Sequence, residues 1–159
     1  MSHGVVNEPD RGAMNKITVS KNITVRADHE KVWDHTQDWS QRALWDPSVL
    51  SAQVKSENPR CVQVNGRGSL KFEVQYKLAD RPKMTTVAML NMNSAWIKGG
   101  GGSWKYEAVA DGTLWTQHNT LILRDDFWGR FFKPVFHFIL ARTTDRSMKM
   151  AKSLLEKDN

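Results

Sequence analysis

The C-terminal segment from Phe127 to Asn159 constrains the fold most, because it forms one helical pattern after a long run of short strands. Apolar residues recur there at three- and four-residue steps, and small polar residues continue the line: Phe132, Val135, Phe136, Ile139, Thr143, Ser147, Met150 and Leu154. Lys133, Asp145, Lys149 and Lys152 occupy the other side. This spacing predicts a long amphipathic helix with one face on a core and one face in water.

The inner stripe of this helix turns small and polar at its middle. Thr143 and Ser147 continue the apolar line there, and Arg142 and Arg146 stand beside it. A helix on a filled core normally stays apolar along its inner face, whereas a helix that closes a cavity need not. The sequence therefore predicts a container for a small apolar molecule, without specifying which molecule.

Length and cysteine content limit the organisation of the chain. The chain has 159 residues, which is the size of one domain with a real core. Residues 1–14 are polar and contain Gly4, Pro9 and Gly12, so we predict a disordered leader followed by a single domain over 15–159. The single cysteine, Cys61, excludes an internal disulfide and indicates a cytoplasmic protein. No apolar run reaches transmembrane length.

The distribution of charge along the chain is typical of a solvated surface and disfavours a nucleic-acid partner. The net charge is +6, but the basic residues are interleaved with acids from Lys16 to Lys157 and form no dense cluster. Peripheral contact with an anionic membrane stays an alternative, and both a monomer and a homodimer are compatible with the pattern. The five histidines have no metal-ligand spacing, so we predict no metal and no cofactor.

The segments before the long helix alternate between strand and turn signals. We predict a first strand over Lys16–Arg26, then two short helices over Lys31–Gln37 and Trp39–Leu44. Six strands with a period of two follow, with a hairpin turn at Asn65-Gly66: Val49–Ser56, Cys61–Val64, Leu70–Leu78, Met84–Met92, Trp96–Ala110 and Thr113–Arg124. This order predicts an α+β fold in which a curved, seven-stranded antiparallel sheet wraps around the C-terminal helix.

Four consecutive glycines, Gly99–Gly102, interrupt one of these strands. They do not form a phosphate-binding loop, because no Lys-Ser/Thr pair follows and no helix begins there. We predict a flexible bulge or hairpin at the rim of the sheet, where a ligand could enter.

Large aromatic residues are the candidates for the cavity lining. Trp45 stands where the short helices meet the sheet, in Trp45-Asp46-Pro47. Phe72 and Tyr76 share one strand face by alternation, and Trp104 and Tyr106 share a face of a later strand. With two residues of the helix, we predict one continuous ligand-binding cavity: Trp45, Phe72, Tyr76, Trp104, Tyr106, Phe136 and Thr143.

The sequence leaves open whether the protein is an enzyme, and its catalytic residues are unknown. His118, Tyr76 and Arg142 are the candidates for an acid, a base and an anion-binding group, with His137 behind them. Both faces of the strand that carries His118 are mixed, so alternation does not tell which face lines the cavity.

Three segments resemble the helix-grip superfamily that includes START lipid-binding domains, plant pollen-allergen proteins and polyketide cyclases/dehydrases. The stretch from Ile23 to Trp33 is similar to its first strand and helix, and Trp45-Asp46-Pro47-Ser48-Val49 resembles the entry to its second strand. The segment from Trp128 to Lys157, with its Leu154-Leu155-Glu156 end, looks like its closing helix.

The resemblance implies a helix-grip fold whose two short helices close one end, and no universal catalytic residue. The leading function is binding or transport of a hydrophobic small molecule (a lipid, a polyketide or an aromatic compound) in an internal cavity. The alternatives are a polyketide cyclase/dehydratase-like enzyme and a module that contacts a protein or a membrane.

Overall fold

Strands and helices follow one another in the predicted order. The computed structural model describes residues 15–157, so the leader predicted over 1–14 lies outside the described residues. The elements are β1 Lys16–Val25, α1 His29–Gln37, β2 Val49–Glu57, β3 Arg60–Gly66, β4 Lys71–Asp80, β5 Met84–Leu90, β6 Ile97–Val109, β7 Gly112–Leu123 and α2 Phe127–Lys157. The second predicted short helix is a 3-10 turn, Arg42–Leu44. The helix-grip prediction is confirmed.

All seven strands form one antiparallel sheet in the order β1-β7-β6-β5-β4-β3-β2. The first strand pairs with the last, from Lys16 opposite Ile122 to Val25 opposite Thr113. β1 and β2 are therefore the two edges, and the segment with α1 and the 3-10 turn connects them. Asp28 caps α1 through a side-chain bond from the Glu30 N–H, as its sequence position predicts.

The hydrophobic core consists of three separate clusters. The largest joins α1, β6 and β7 to the C-terminal part of α2: Val25, Ala27, Val32, Trp33, Trp45, Trp104, Tyr106, Trp115, Met148, Ala151 and Leu155. A second lies on β2 to β4 and includes Trp39: Trp39, Val49, Val62, Val64, Phe72, Val74 and Tyr76. The third is formed by Ile17, Val19 and Leu123, against which Phe136 and Leu140 pack.

The inward face of α2 differs from the predicted one. The buried residues of its central and C-terminal part are Thr144, Ser147, Met148, Ala151 and Leu155. Val135, Ile139 and Met150 were predicted to face inward and are instead more than two-fifths exposed. The buried side of the helix carries two small polar side chains, Thr144 and Ser147, at the cavity, and the larger Met148 and Leu155 in the core beyond it. The predicted inward stripe is therefore wrong at Val135, Ile139 and Met150.

Two turn predictions also need correction. The chain does not turn at Asn65-Gly66, because both residues pair with neighbouring strands. It turns at the next residues, Arg67–Ser69, where Gly68 and Ser69 have positive φ angles of 68° and 61°.

The four glycines lie inside β6, not in a hairpin at the rim. Gly100, Gly101 and Gly102 pair with both β5 and β7. The register opposite β7 shifts between Ile97 and Gly99, so the irregularity lies at the start of the glycine run and not within it. A Cβ atom on Gly101 would lie 2.7 Å from the Val87 carbonyl oxygen, so no side chain fits there.

Candidate functional site

A cavity of about 310 Å³ lies between α2 and the sheet. Phe72 of the second cluster, Trp104 of the first and Phe136 beside the third all border it, so it occupies the space where the three clusters fail to meet. This volume is at the lower end of the range typical of small-molecule sites.

One wall of the cavity is apolar. Strands β4 and β5 and the first half of α2 supply it, with Phe72, Val74, Val87, Met89, Phe136 and Leu140. Gly101 and Gly102 also border the cavity and contribute no side chain. The glycines thus leave space beside Trp104, whose indole shares its strand face with Gly102.

A chain of buried hydrogen bonds holds the end of the cavity near α1. Trp39 Nε1 donates to the Tyr76 hydroxyl at 2.8 Å, and that hydroxyl donates to Gln37 Oε1 at 2.7 Å. Gln37 Nε2 donates to the Tyr106 hydroxyl at 2.7 Å, which also bonds Thr36 Oγ1 at 2.7 Å. Burial raises the pKa of Tyr106 well above its usual range, so its phenol stays neutral. The network fixes the orientation of Tyr76 at the cavity wall.

Arg42 borders the same end of the cavity and is enclosed by three indoles. Its Cζ lies 4.5 Å from the ring centroids of Trp45 and Trp104 and 4.6 Å from that of Trp39. Its Nε donates to Asp46 Oδ2 at 2.9 Å, and both side chains are about nine-tenths buried. Cation–π contacts and the carboxylate together compensate the buried charge.

A row of amides and hydroxyls forms the wall between β7 and α2. Asn119 Nδ2 donates to Gln117 Oε1 at 2.8 Å and to Thr144 Oγ1 at 3.1 Å, and Trp104 Nε1 donates to Asn119 Oδ1 at 3.1 Å. Gln117 is almost completely buried and borders the cavity. Its Nε2 has no hydrogen-bond partner within residues 15–157. A buried donor without a partner is costly and can be satisfied by a ligand acceptor.

Five of the residues predicted to bind the ligand border the cavity, and two do not. Those at the cavity are Phe72, Tyr76, Trp104, Phe136 and Thr143. Trp45 is fully buried in a different cluster from Phe72, with its ring 6.1 Å from that of Trp104. Tyr106 stacks on Trp115 at 6.2 Å and bonds α1. These two residues support the wall from behind instead of lining it, so the predicted set is corrected at these positions.

The structure does not bring the three catalytic candidates together. Tyr76 borders the cavity, but His118 is exposed on the β7 face opposite to that of Gln117, and Arg142 is exposed on α2. His137 is exposed as well. The inward face of β7 is the one that carries Gln117 and Asn119, which decides the question that alternation left open.

Sequence reasoning missed Arg42, Gln117 and Asn119. A signal for Arg42 was present, because Trp39 and Trp45 stand three residues before and after it, a spacing that can enclose a guanidinium group. No comparable signal marks Gln117. Within residues 15–157, no group of three His, Cys, Asp or Glu could hold a metal ion, and no helix has the length and apolar character needed to cross a membrane.

The family of the chain follows from its match to a known family model. Residues 16–156 match the model described as polyketide cyclase / dehydrase and lipid transport. The chain belongs to this family. The match covers nearly all the described residues and confirms the resemblance seen in the three motifs. The comparison with curated protein sequences gives no match.

Solved structures of low sequence identity share the fold. The Zhui aromatase/cyclase from Streptomyces sp. R1128 is 13% identical with a TM-score of 0.76, and the match covers 89% of this chain and 94% of that chain. A START superfamily protein from Mycobacterium smegmatis is 13% identical with a TM-score of 0.75, covering 89% and 99%. Ara h 8.0201 is 12% identical with a TM-score of 0.68, covering 89% and 99%.

Proposed function

We propose that this protein binds or transports a hydrophobic small molecule in the cavity beneath α2. The observation that carries the proposal is the unfilled space itself, which is bordered by Phe72, Trp104 and Phe136. A lipid, a polyketide or an aromatic compound is a natural occupant, because apolar burial contributes about 25 cal/mol per Å². The family description, which joins polyketide cyclase / dehydrase with lipid transport, supports this class of ligand.

The row of amides and hydroxyls between β7 and α2, which we call the polar wall, adds a requirement on the ligand. Gln117 borders the cavity and carries a buried donor, Nε2, that has no partner within residues 15–157, while its Oε1 already accepts a hydrogen bond from Asn119. Arg42, the nearby cation, is neutralised by Asp46. A neutral oxygen acceptor on an apolar body, such as a carbonyl group, suits this wall better than a hydrocarbon or a carboxylate.

Cyclisation or dehydration of a polyketide in the same cavity is the second candidate function. Such chemistry needs an acid or base at the bound ligand. Of the three candidates from the sequence, Tyr76 alone is at the cavity, and its hydroxyl already accepts from Trp39 and donates to Gln37. Binding is therefore the better-supported function.

Location and assembly complete the proposal. We propose a cytoplasmic protein with a single domain over 15–159, acting as a monomer or a homodimer. Peripheral membrane contact is a separate function with a requirement of its own, an apolar surface outside the cavity, and does not follow from ligand binding.

Titration with two matched naphthalenes tests the proposal. 2-Acetylnaphthalene and 2-isopropylnaphthalene have nearly the same size, but only the first has an oxygen acceptor. We expect both to bind in isothermal titration calorimetry, with the acetyl compound at least several-fold tighter, because a satisfied buried donor is worth about 1–3 kcal/mol. Gln117→Leu should remove that preference and retain binding of the isopropyl compound. If the protein bound neither compound and yielded no apolar compound on denaturation and extraction after purification from cells, the proposal would fail.

A further inference from the structure

The first half of α2 carries an apolar surface that faces solvent. Six large apolar side chains between positions 127 and 139 are each 51–66% exposed: Phe127, Trp128, Phe131, Val135, Phe138 and Ile139. We call these six residues the aromatic face. Single exposed apolar residues are ordinary, but a continuous exposed patch of this kind marks an interaction surface.

The helix geometry places these side chains together. Phe127, Phe131, Val135 and Phe138 follow at three- and four-residue steps and so lie on one side of the helix. The rings of Phe127 and Phe131 stack at 5.9 Å, and that of Trp128 lies 6.2 Å from Phe131. The patch is thus continuous over more than two helical turns.

The other side of the same helix attaches it to the protein. Phe132 and Phe136 contact the Trp96 ring at 5.4 and 6.1 Å. Phe136 and Leu140 also pack on the cluster of Ile17, Val19 and Leu123. Since these residues hold the helix on the sheet, the aromatic face is not needed for the core.

Three basic residues follow the aromatic face along the same side of the helix. Arg142, Arg146 and Lys149 follow Phe138 at four- and three-residue steps, and all three are exposed. Neither arginine forms an ion pair within residues 15–157, whereas Lys149 pairs with Asp145 at 2.8 Å. The whole chain carries a net charge of +6. A helix with aromatic residues and cations on one exposed side is typical of helices that lie in the interface of an anionic bilayer.

Charge favours a membrane over a second copy of the chain as the occupant. A copy docking on this side would bring the same cations into the interface, and like charges would repel. An anionic lipid surface would attract them, and the aromatic rings would enter the boundary between headgroups and acyl chains.

The aromatic face also meets the cavity. Ile139 belongs to that face, is 52% exposed, and borders the cavity as well. Phe136 and Thr143, within one turn of it, border the cavity too. We propose that the first half of α2 docks this protein on an anionic lipid bilayer through the aromatic face, with Arg142 and Arg146 binding lipid phosphates. Docking in this way places the side of the cavity at Ile139 against the lipid.

Vesicle flotation with the full chain tests the docking surface. The vesicles consist of phosphatidylcholine alone or with about one-third phosphatidylglycerol. We expect binding to the anionic vesicles that weakens when salt rises from about 0.05 M to about 0.5 M, since screening shortens the reach of surface charge. Phe131→Ser with Phe138→Ser, and separately Arg142→Glu with Arg146→Glu, should each lower the partition coefficient at least tenfold.

The control is Leu78→Ser with Leu90→Ser, which removes two exposed apolar side chains on β4 and β5 and should change binding less than twofold. Circular dichroism and thermal melting check that every variant is folded. The proposal is overturned if the unmodified protein binds neither vesicle, if the control variant loses binding equally, or if phosphatidylcholine alone binds as well. It is also overturned if sedimentation velocity finds a dimer that the Phe131/Phe138 variant abolishes while vesicles stay unbound. Binding of 2-acetylnaphthalene without vesicles is measured in parallel, so a failure of docking is distinguishable from a failure of the cavity proposal.

Discussion

Ser147 offers a direct test of the space beneath α2. It is 4% exposed and borders the cavity, and its Oγ donates to the Thr144 carbonyl one turn earlier at 2.9 Å. Ser147→Leu replaces one oxygen by three carbons that point into empty space. At about 0.8 kcal/mol per buried carbon, the gain is about 2.4 kcal/mol, from which the lost hydrogen bond removes about 1 kcal/mol.

We therefore expect the Ser147→Leu variant to unfold at a free energy about 1–1.5 kcal/mol higher than the unmodified protein. For a chain of 159 residues this raises Tm by about 2–6 °C. Ser153→Leu is the matched control, because it adds the same atoms to an exposed position of the same helix and should stay within about 0.5 kcal/mol. Urea and thermal unfolding measure both variants.

The same substitution should weaken ligand binding, because the new side chain occupies the ligand's space. We expect the affinity for N-phenyl-1-naphthylamine, followed by its fluorescence, to fall at least tenfold in Ser147→Leu and to stay unchanged in Ser153→Leu. Overpacking a filled core costs about 1–3 kcal/mol. A Ser147→Leu variant that is destabilised by that amount, or that binds the probe normally, would show that the space is not a ligand cavity.

Two further predictions concern the sheet and the pH dependence of stability. Gly101→Ala should lower the free energy of unfolding by about 1–3 kcal/mol, because its Cβ would lie 2.7 Å from a carbonyl oxygen. Gly99→Ala is the control, because its nearest contact would be at 3.6 Å, and its free energy of unfolding should change by less than about 0.5 kcal/mol. Equal effects of the two substitutions in urea unfolding would contradict the packing argument. The backbone N–H of Arg26, which donates to Glu156 Oε1 at 2.9 Å, and the Lys152 ammonium hold the pKa of that carboxyl below its usual range. The stabilisation is thus present above about pH 4.3, the ordinary glutamate value, and is lost as the pH falls through the lower folded-state pKa. Glu156→Gln should be less stable than the unmodified protein at about pH 6 and approach it in acid, and a difference that does not depend on pH would refute this assignment.

The fold could be predicted because the sequence shows both the alternation of strands and the three- and four-residue steps of a helix. Phe72, Val74 and Tyr76 alternate with polar residues on β4, and all three are buried as the alternation predicts. The alternation ends at Leu78, which is exposed after a register shift opposite β5. A bulge of this kind depends on the neighbouring strand, so one strand's own sequence does not contain it.

The polar wall could not be predicted from β7 alone. Gln117 and His118 are adjacent, and a strand with mixed faces permits either one to point inward. The choice depends on Trp115, two residues before Gln117, which packs on Trp104 and Tyr106 of the neighbouring strand at 5.5 and 6.2 Å. This long-range packing determines which face of β7 points toward the cavity. Gln117 lies on that face, although the sequence pattern was equally compatible with His118 there.

The prediction of which α2 residues face inward failed at several positions, and the physical reason also concerns function. A helical stripe drawn through the largest apolar residues assumes that each of them avoids water by entering the core. Val135 and Ile139 satisfy that pattern but lie on the exposed side, while Thr144 and Ser147 occupy the buried one. A helix that borders a cavity on one side and presents aromatic rings on another inverts the usual relation between hydrophobicity and burial. The two sides of α2 therefore correspond to the two proposals. The buried side borders the cavity that we propose holds an apolar ligand with an oxygen acceptor, and the exposed side is the surface that we propose docks on lipid.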